Sequence, residues 1–317
     1  SRSNCRRPMG STHSRPLLGL LISCTLSGLA AAAPTYPFSV TSEAVEGRYH
    51  FVARNRGPAP VSVRLVLTAA ENVSTSRYTP VYAVVRPYTD SPLLQVAPAL
   101  PGGKYRFASE TAHAIGNYLA QADAHAAYRL PFENGRSFMV GQSHDGPRLT
   151  HTTVDSEHAV DLNTPANTPV VAARDGVVIA TESTHHAGGD DRRLLSRANF
   201  VRVLHADDTM ATYAHLAPGG VSVAVGEKVK AGALIGRSGA TGYSLGPHLH
   251  FVVQKLVGSS TGFTTVSVPI RFCSGDPPRA FTPSYRPMVT ADHPPPTDSK
   301  QRLSAQGSDQ CQRSDFD

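Results

Sequence analysis

The stretch GYSLGPHLHFVVQ, Gly242 to Gln254, decides how the second half of this chain is read. Glycine and proline punctuate its start, and an apolar run rich in β-branched residues follows, which predicts a turn leading into a buried strand. Side chains two apart on a strand share a face, so His248 and His250 point together while Leu249 packs the other way into the sheet. Two imidazoles side by side can hold a metal or move protons, although a solvated strand face carries the same pattern.

The surrounding segments are of one kind. TPVVAARDGVVIAT (168–181) places two apolar runs around a turn at Asp175 and Gly176, and ANFVRVLH (198–205), TMATYAHL (209–216) and VSVAVGEKVKAG (221–232) supply further strands bounded by Gly or Pro. No long helical periodicity interrupts them. Gly226 and Gly232 mark hairpin turns, and Gly239 and Gly242 permit a tight bend before the His248–His250 strand. Upstream, VSVRLVL (61–67) alternates with Val61, Val63, Leu65 and Leu67 on one face and Ser62 and Arg64 on the other. With RYHFVA (48–53), YAVVRPY (82–88) and GKYRFAS (103–109) it predicts an immunoglobulin-like β-sandwich over 33–130. RLPFENG (129–135) reads as the connector to a second domain over 131–272, and the Pro-rich, polar stretch 273–317 as a largely disordered tail.

The 317 residues carry a net charge of +6 without basic blocks or aromatic–basic interleaving, so nothing predicts nucleic-acid binding. RPLLGLLISCTLSGLAAAAP (15–34) has a basic lead, an apolar stretch from Leu17 to Leu29 and an Ala-rich end, the layout of a secretory signal peptide cleaved after Ala32. Its apolar run is too short for a membrane span. Residues 1–32 are therefore assigned to a signal peptide with an upstream extension, and the mature protein to the periplasm or the extracellular space. LISC, ending at Cys24, offers lipid anchoring as the alternative. Export removes Cys5 and Cys24 and leaves Cys273 and Cys311, which can pair in an oxidising compartment.

Three blocks together carry a resemblance: AVDLNTPANTPVVAARDGVVIA (159–180), NFVRVLHADDTMATYAHL (199–216) and VAVGEKVKAGALIGRSGATGYSLGPHLHF (223–251). In composition and order they are similar to the lysostaphin-like, LytM-type zinc metallopeptidases. The resemblance implies a mainly β chain in which the second domain has the duplicated-hybrid-motif fold, a bound Zn2+ and the peptide part of bacterial peptidoglycan as substrate. It implies Asp161 and His250 as metal ligands, and His215 and His248 as the non-ligand pair that manages proton and oxyanion. For the remaining ligand the commonest family pattern has a histidine four residues before the aspartate, where this chain has Glu157. His158, three before Asp161, faces the opposite side of an extended strand. QSHDGPRLTHTTVDSEHAVDL (142–162) is similar to a subgroup with the histidine further back across a loop, which assigns His151, with Glu157 and His144 as the rivals. His158, His185, His186 and His205 fall to surface or supporting positions. The runner-up function is a non-catalytic relative that binds cell wall or activates another hydrolase.

Overall fold

The computed structural model describes residues 36–146, 150–293, 301–306 and 310–315. The signal-peptide assignment, with Cys5 and Cys24, lies outside the described residues. No helix among these residues is long and apolar enough to cross a membrane, and the secondary structure is almost entirely β.

The N-terminal part holds two antiparallel sheets. One orders the strands Phe38–Val45, Arg48–Asn55, Asp90–Pro98 and Val73–Thr75; the other orders Val81–Val85, Val61–Glu71 and Arg106–Ile115. Phe51, Val63, Leu65, Val85, Leu93 and Val96 fill a core shared by both sheets, as the alternation of VSVRLVL demands. The face carrying Ser62 and Arg64 is not left to water. Ser62 Oγ donates to Gly116 O (2.8 Å) and accepts from Tyr118 N (3.0 Å). Arg64 bonds Tyr82 Oη, which in turn donates to Ser259 O (2.9 Å) in the C-terminal part. Tyr118 and Tyr82 also pack their rings against Phe263. Both faces of that sheet are therefore committed, one to its own core and one to the neighbouring hairpin.

The second part is an eleven-stranded sheet. Its centre runs Gly176–Glu182, Asn199–Leu204, Met210–Val221, Leu249–Gly258, Val160–Asn163 and Ser137–Gln142 in neighbouring order. Val160, Leu162, Val201, Val203, Tyr213, Leu249, Phe251 and Val253 are buried in one cluster, each contributing about 1.5–3 kcal/mol on removal from water. Tyr213 is the largest of them, and its hydroxyl accepts from Ala173 N at 2.7 Å, so the buried polar atom is satisfied.

Two segments carry more structure than their composition suggests. RLPFENG contributes to the core of the second part: Leu130 and Phe132 lie in it, and Tyr128–Arg129 pairs in parallel with Phe272–Ser274. The crossing between the two parts comes earlier, where Asn117 Nδ2 donates to Asp208 Oδ2 (2.7 Å) and Asp123 N to Asp207 Oδ2 (3.2 Å). Among the described residues beyond 273 the chain also pairs. Phe272–Ser274 pairs with Arg279–Phe281, and Met288–Thr290 extends the main sheet beside Ser137–Gln142. Cys273 is joined to Cys311, 38 residues away, by a disulfide. Averaged over its prolines the segment looks polar, but Phe272, Ala280 and Ala291 are sparse apolar anchors, and each is buried.

His205, placed above among surface or supporting positions, is buried. It is 2% exposed, its Nδ1 donates to Asp175 O (2.7 Å) and its ring meets that of Tyr128 edge-on. Burial, aided by the nearby Arg174 guanidinium, pushes its pKa down to about 4. A depressed folded-state pKa means stability is full above the unfolded value near 6.5 and is lost as pH falls toward about 4. Each such group adds a slope of about 1.4 kcal/mol per pH unit in that window. Urea titrations at several pH values between 7 and 4.5 check this: His205→Asn, which keeps a donor near Nδ1, should flatten the slope by about one proton. Parallel slopes for both proteins would remove His205 from the account.

Candidate functional site

Asp161 sits on Val160–Asn163, which pairs antiparallel with Leu249–Gly258 so that Asp161 lies directly opposite His250. Directly opposed residues share a face, which brings carboxylate and imidazole together across the ladder. His151 reaches the same point from the preceding loop, behind Thr150, whose N–H and hydroxyl both bond the side chain of Gln142. The result is a cluster of three atoms: His151 Nε2 to His250 Nδ1 3.1 Å, His151 Nε2 to Asp161 Oδ1 3.2 Å, and His250 Nδ1 to Asp161 Oδ1 2.9 Å. Of the candidate histidines, the structure brings His151 to Asp161. His144 and His158 instead line a separate cavity with Asp207, Thr209 and Arg271. Glu157 lies 3.8 Å from His158 Nδ1.

His215 reaches the cluster by breaking strand parity. On Met210–Val221, Ala214 pairs with His250 and so occupies the cluster-facing register. By strict alternation His215 would face away. The partner strand pairs Phe200 with Ala214 and Asn199 with Leu216, leaving His215 as the extra residue of a β-bulge. Its φ is +61°, the left-handed region that non-glycine residues rarely occupy. The ring is thereby turned onto the site, 4.5 Å from the His248 ring centroid and 5.7 Å from that of His250.

Two glycines make room for this. Gly242 has φ +83°, and a Cβ on Gly239 would stand 2.7 Å from the Ala217 backbone. The turn between them presents Thr241 O to His215 Nδ1 at 2.7 Å. His248 Nδ1 meets Gly246 O at 2.9 Å. A carbonyl only accepts, so both rings carry a proton on Nδ1, and the neutral form of each leaves its lone pair on Nε2. His248 Nε2 faces Asp161 Oδ1 at 3.7 Å, beyond hydrogen-bond reach and longer than any edge of the three-atom cluster.

Electrostatics follow from burial and contact. Burial alone would raise the Asp161 carboxyl, but hydrogen bonds and charge from His151 and His250 outweigh it and hold the group well below the usual carboxylate range. His250 is pushed down chiefly by burial, despite its hydrogen bond to Asp161. Burial and then the neighbouring His248 and His250 lower His215 to about 3, so it is neutral at physiological pH.

The donor set can be tested against a metal. Two imidazole nitrogens 3.1 Å apart repel unless a proton or cation lies between them. A tetrahedral ion with bonds of about 2.0–2.1 Å requires ligand–ligand edges near ~3.3 Å, and the observed 2.9, 3.1 and 3.2 Å are close to that. All three ligand atoms lie within 4.8 Å of one another. Two nitrogens and one carboxylate oxygen are the donor set of a hydrolytic zinc site. The chain fits the ion.

Gln142, Asn199 and Thr241 were not singled out by the sequence. Gln142 Nε2 stands 3.3 Å from Asp161 Oδ2. A lone polar residue in a strand gives no signal of such a contact until the fold closes.

Residues 155–262 match the model of peptidase family M23. That range contains Asp161, His215, His248 and His250, whereas His151 precedes it. The glycyl-glycine endopeptidase ALE-1 of Staphylococcus capitis is 31% identical over 145 residues, 46% of this chain and 35% of the relative. The peptidoglycan DD-endopeptidase ShyA of Vibrio cholerae is 34% identical over 128 residues, 40% of this chain and 26% of the relative. The chain thus spans only 26–35% of the length of these curated relatives. Among solved structures, the catalytic domain of the prophage-encoded M23 protein EnpA from Enterococcus faecalis aligns at 26% identity, covering 46% of this chain and 95% of that one with a TM-score of 0.32.

Proposed function

We propose, from the premise that the segment 155–262 belongs to peptidase family M23, that this protein is a zinc endopeptidase acting on the stem or cross-bridge peptides of bacterial peptidoglycan. The observation that carries this is the convergence of His151, Asp161 and His250 beside two further histidines with free Nε2 atoms. The first three would hold the ion, with Gln142 orienting Asp161. A bound zinc supplies Lewis acidity, which activates water and polarises a carbonyl.

The chain's own residues do the rest. Peptide hydrolysis takes one proton from water and delivers one to the leaving amine. His215 and His248, each with Nδ1–H fixed on a backbone carbonyl, offer Nε2 to accept that proton and return it. In its protonated state either ring donates a hydrogen bond to the developing oxyanion. Gly188–Gly189 pairs in parallel with Gly242–Tyr243, next to Ser244, which contacts His248 Nδ1 at 3.3 Å. An immunoglobulin-like identity for the N-terminal sheets and an exported location complete the proposal. Those sheets position the peptidase part through the Tyr82–Ser259 contact.

Zinc content and one digest test the function. The protein should contain one zinc per chain and cut defined muropeptides, with product masses identifying the bond. Zinc-loaded protein that leaves every peptide intact would favour the wall-binding alternative.

A further inference from the structure

The bulge that carries His215 is held by two buried polar residues whose side chains have no part in the chemistry described above. Asn199 is wholly buried and stands opposite the bulge. Its Nδ2 donates to His185 O (2.8 Å) and is shared between Leu216 O (3.4 Å) and Ala217 O (3.3 Å), the two carbonyls that follow His215. Its Oδ1 accepts from His185 N at 3.0 Å, so the amide grips one residue of the 183–198 loop at both its N–H and its C=O. Thr241, 2% exposed, accepts from Asn199 N (2.9 Å) and donates to Leu216 O (2.7 Å) through one hydroxyl. Its own carbonyl takes the His215 Nδ1 proton at 2.7 Å.

These contacts form one closed set. A bulge leaves carbonyls without ladder partners, and burying them unpaired would cost free energy. Asn199 and Thr241 pair Leu216 O and Ala217 O, and the same threonine fixes the tautomer of the ring. A left-handed φ at a non-glycine residue persists only where its surroundings over-determine it. Serine or alanine at 199 could not reach both the loop residue His185 and the carbonyls of Leu216 and Ala217. We propose that Asn199 and Thr241 are positioning residues for His215, holding the strained bulge so that its imidazole stays against His248 and His250 with Nε2 free.

The inference rests on the proposed proton-transfer role of His215. The test takes Thr241→Val, which keeps shape and loses the hydroxyl, Thr241→Ser, which keeps it, and Asn199→Asp, which replaces the N–H donors by acceptors. Zinc content, kcat and KM on a muropeptide, and the 15N shifts of the His215 ring are measured on the full chain. Thr241→Val and Asn199→Asp should retain zinc and lower kcat about 10–100-fold with KM nearly unchanged, the scale of a misplaced catalytic group. Thr241→Ser should restore most of the rate. In a His215→Ala background neither substitution should lower the remaining rate further. The 15N shifts should show Nδ1–H with unprotonated Nε2 in the parent and loss of that fixed tautomer in Thr241→Val.

An equal loss of rate in the His215→Ala background, a loss of zinc in proportion to activity, or full activity in both variants would overturn the proposal. The tautomer readout needs no substrate. A parent that cleaves nothing would sink the endopeptidase function, while the ring shifts would still decide the positioning role.

Discussion

Asp161→Asn, His151→Ala and His250→Ala should each yield folded protein without stoichiometric zinc and with peptide cleavage at background. The three ligand atoms form a triangle with edges of 2.9–3.2 Å, and removing any corner leaves two ligands where a hydrolytic site requires three. Losing the ion's charge stabilisation is worth several kcal/mol, which corresponds to about a thousandfold or more in rate. His144→Ala, Glu157→Ala and His158→Ala should leave zinc in place. His158 Nδ1 is bonded to Ser267 Oγ at 3.1 Å, outside the triangle. Metal analysis of the six variants alongside cleavage rates checks the set, with circular dichroism to confirm folding. Zinc retained in His151→Ala but lost in Glu157→Ala would transfer the third ligand to the position four residues before Asp161.

Strand parity explains both what could be read in the sequence and what could not. It pairs His248 with His250 and sends Leu249 into the core, where it is fully buried; His158 lies in the turn before the Val160–Asn163 strand and is bonded to Ser267 Oγ instead. Applied to His215 parity fails, because the bulge between Ala214 and Leu216 inserts one residue and reverses the direction. Nothing in TMATYAHL marks that bulge. It depends on Gly239 and Thr241, more than twenty residues downstream, and on Asn199 across the ladder. The burial of His205 is hidden for the opposite reason. That residue ends a clean strand beside HADD, a polar cluster that looks solvated. In the fold that cluster turns inward to meet Asn117, Asp123 and Arg174. The tail teaches the same lesson about averaging, since composition over forty residues hides a few buried anchors and one disulfide. Local pattern therefore gives the ladder, while contacts made at long sequence distance place the side chains that break it.

His215→Ala and His248→Ala should keep one zinc per chain and lose turnover by about 10²–10⁴-fold, the range for a positioned proton-transfer group. Neither side chain supplies an edge of the triangle: the His248 Nε2 to Asp161 distance is 3.7 Å, and His215 spends Nδ1 on Thr241 O. The loss should fall on kcat, because each ring acts when a proton moves or charge develops, not when substrate docks. The two rings lie 4.5 Å apart, close enough for one to accept and the other to donate in the same step. The double variant should therefore be only slightly slower than the worse single one, since groups acting as a unit are not additive. Equal and fully multiplicative losses would mean that each histidine serves a separate step. Zinc lost from His248→Ala would mean something more basic, that the neighbour at 3.7 Å closes onto the ion and that both imidazoles of HLH hold metal.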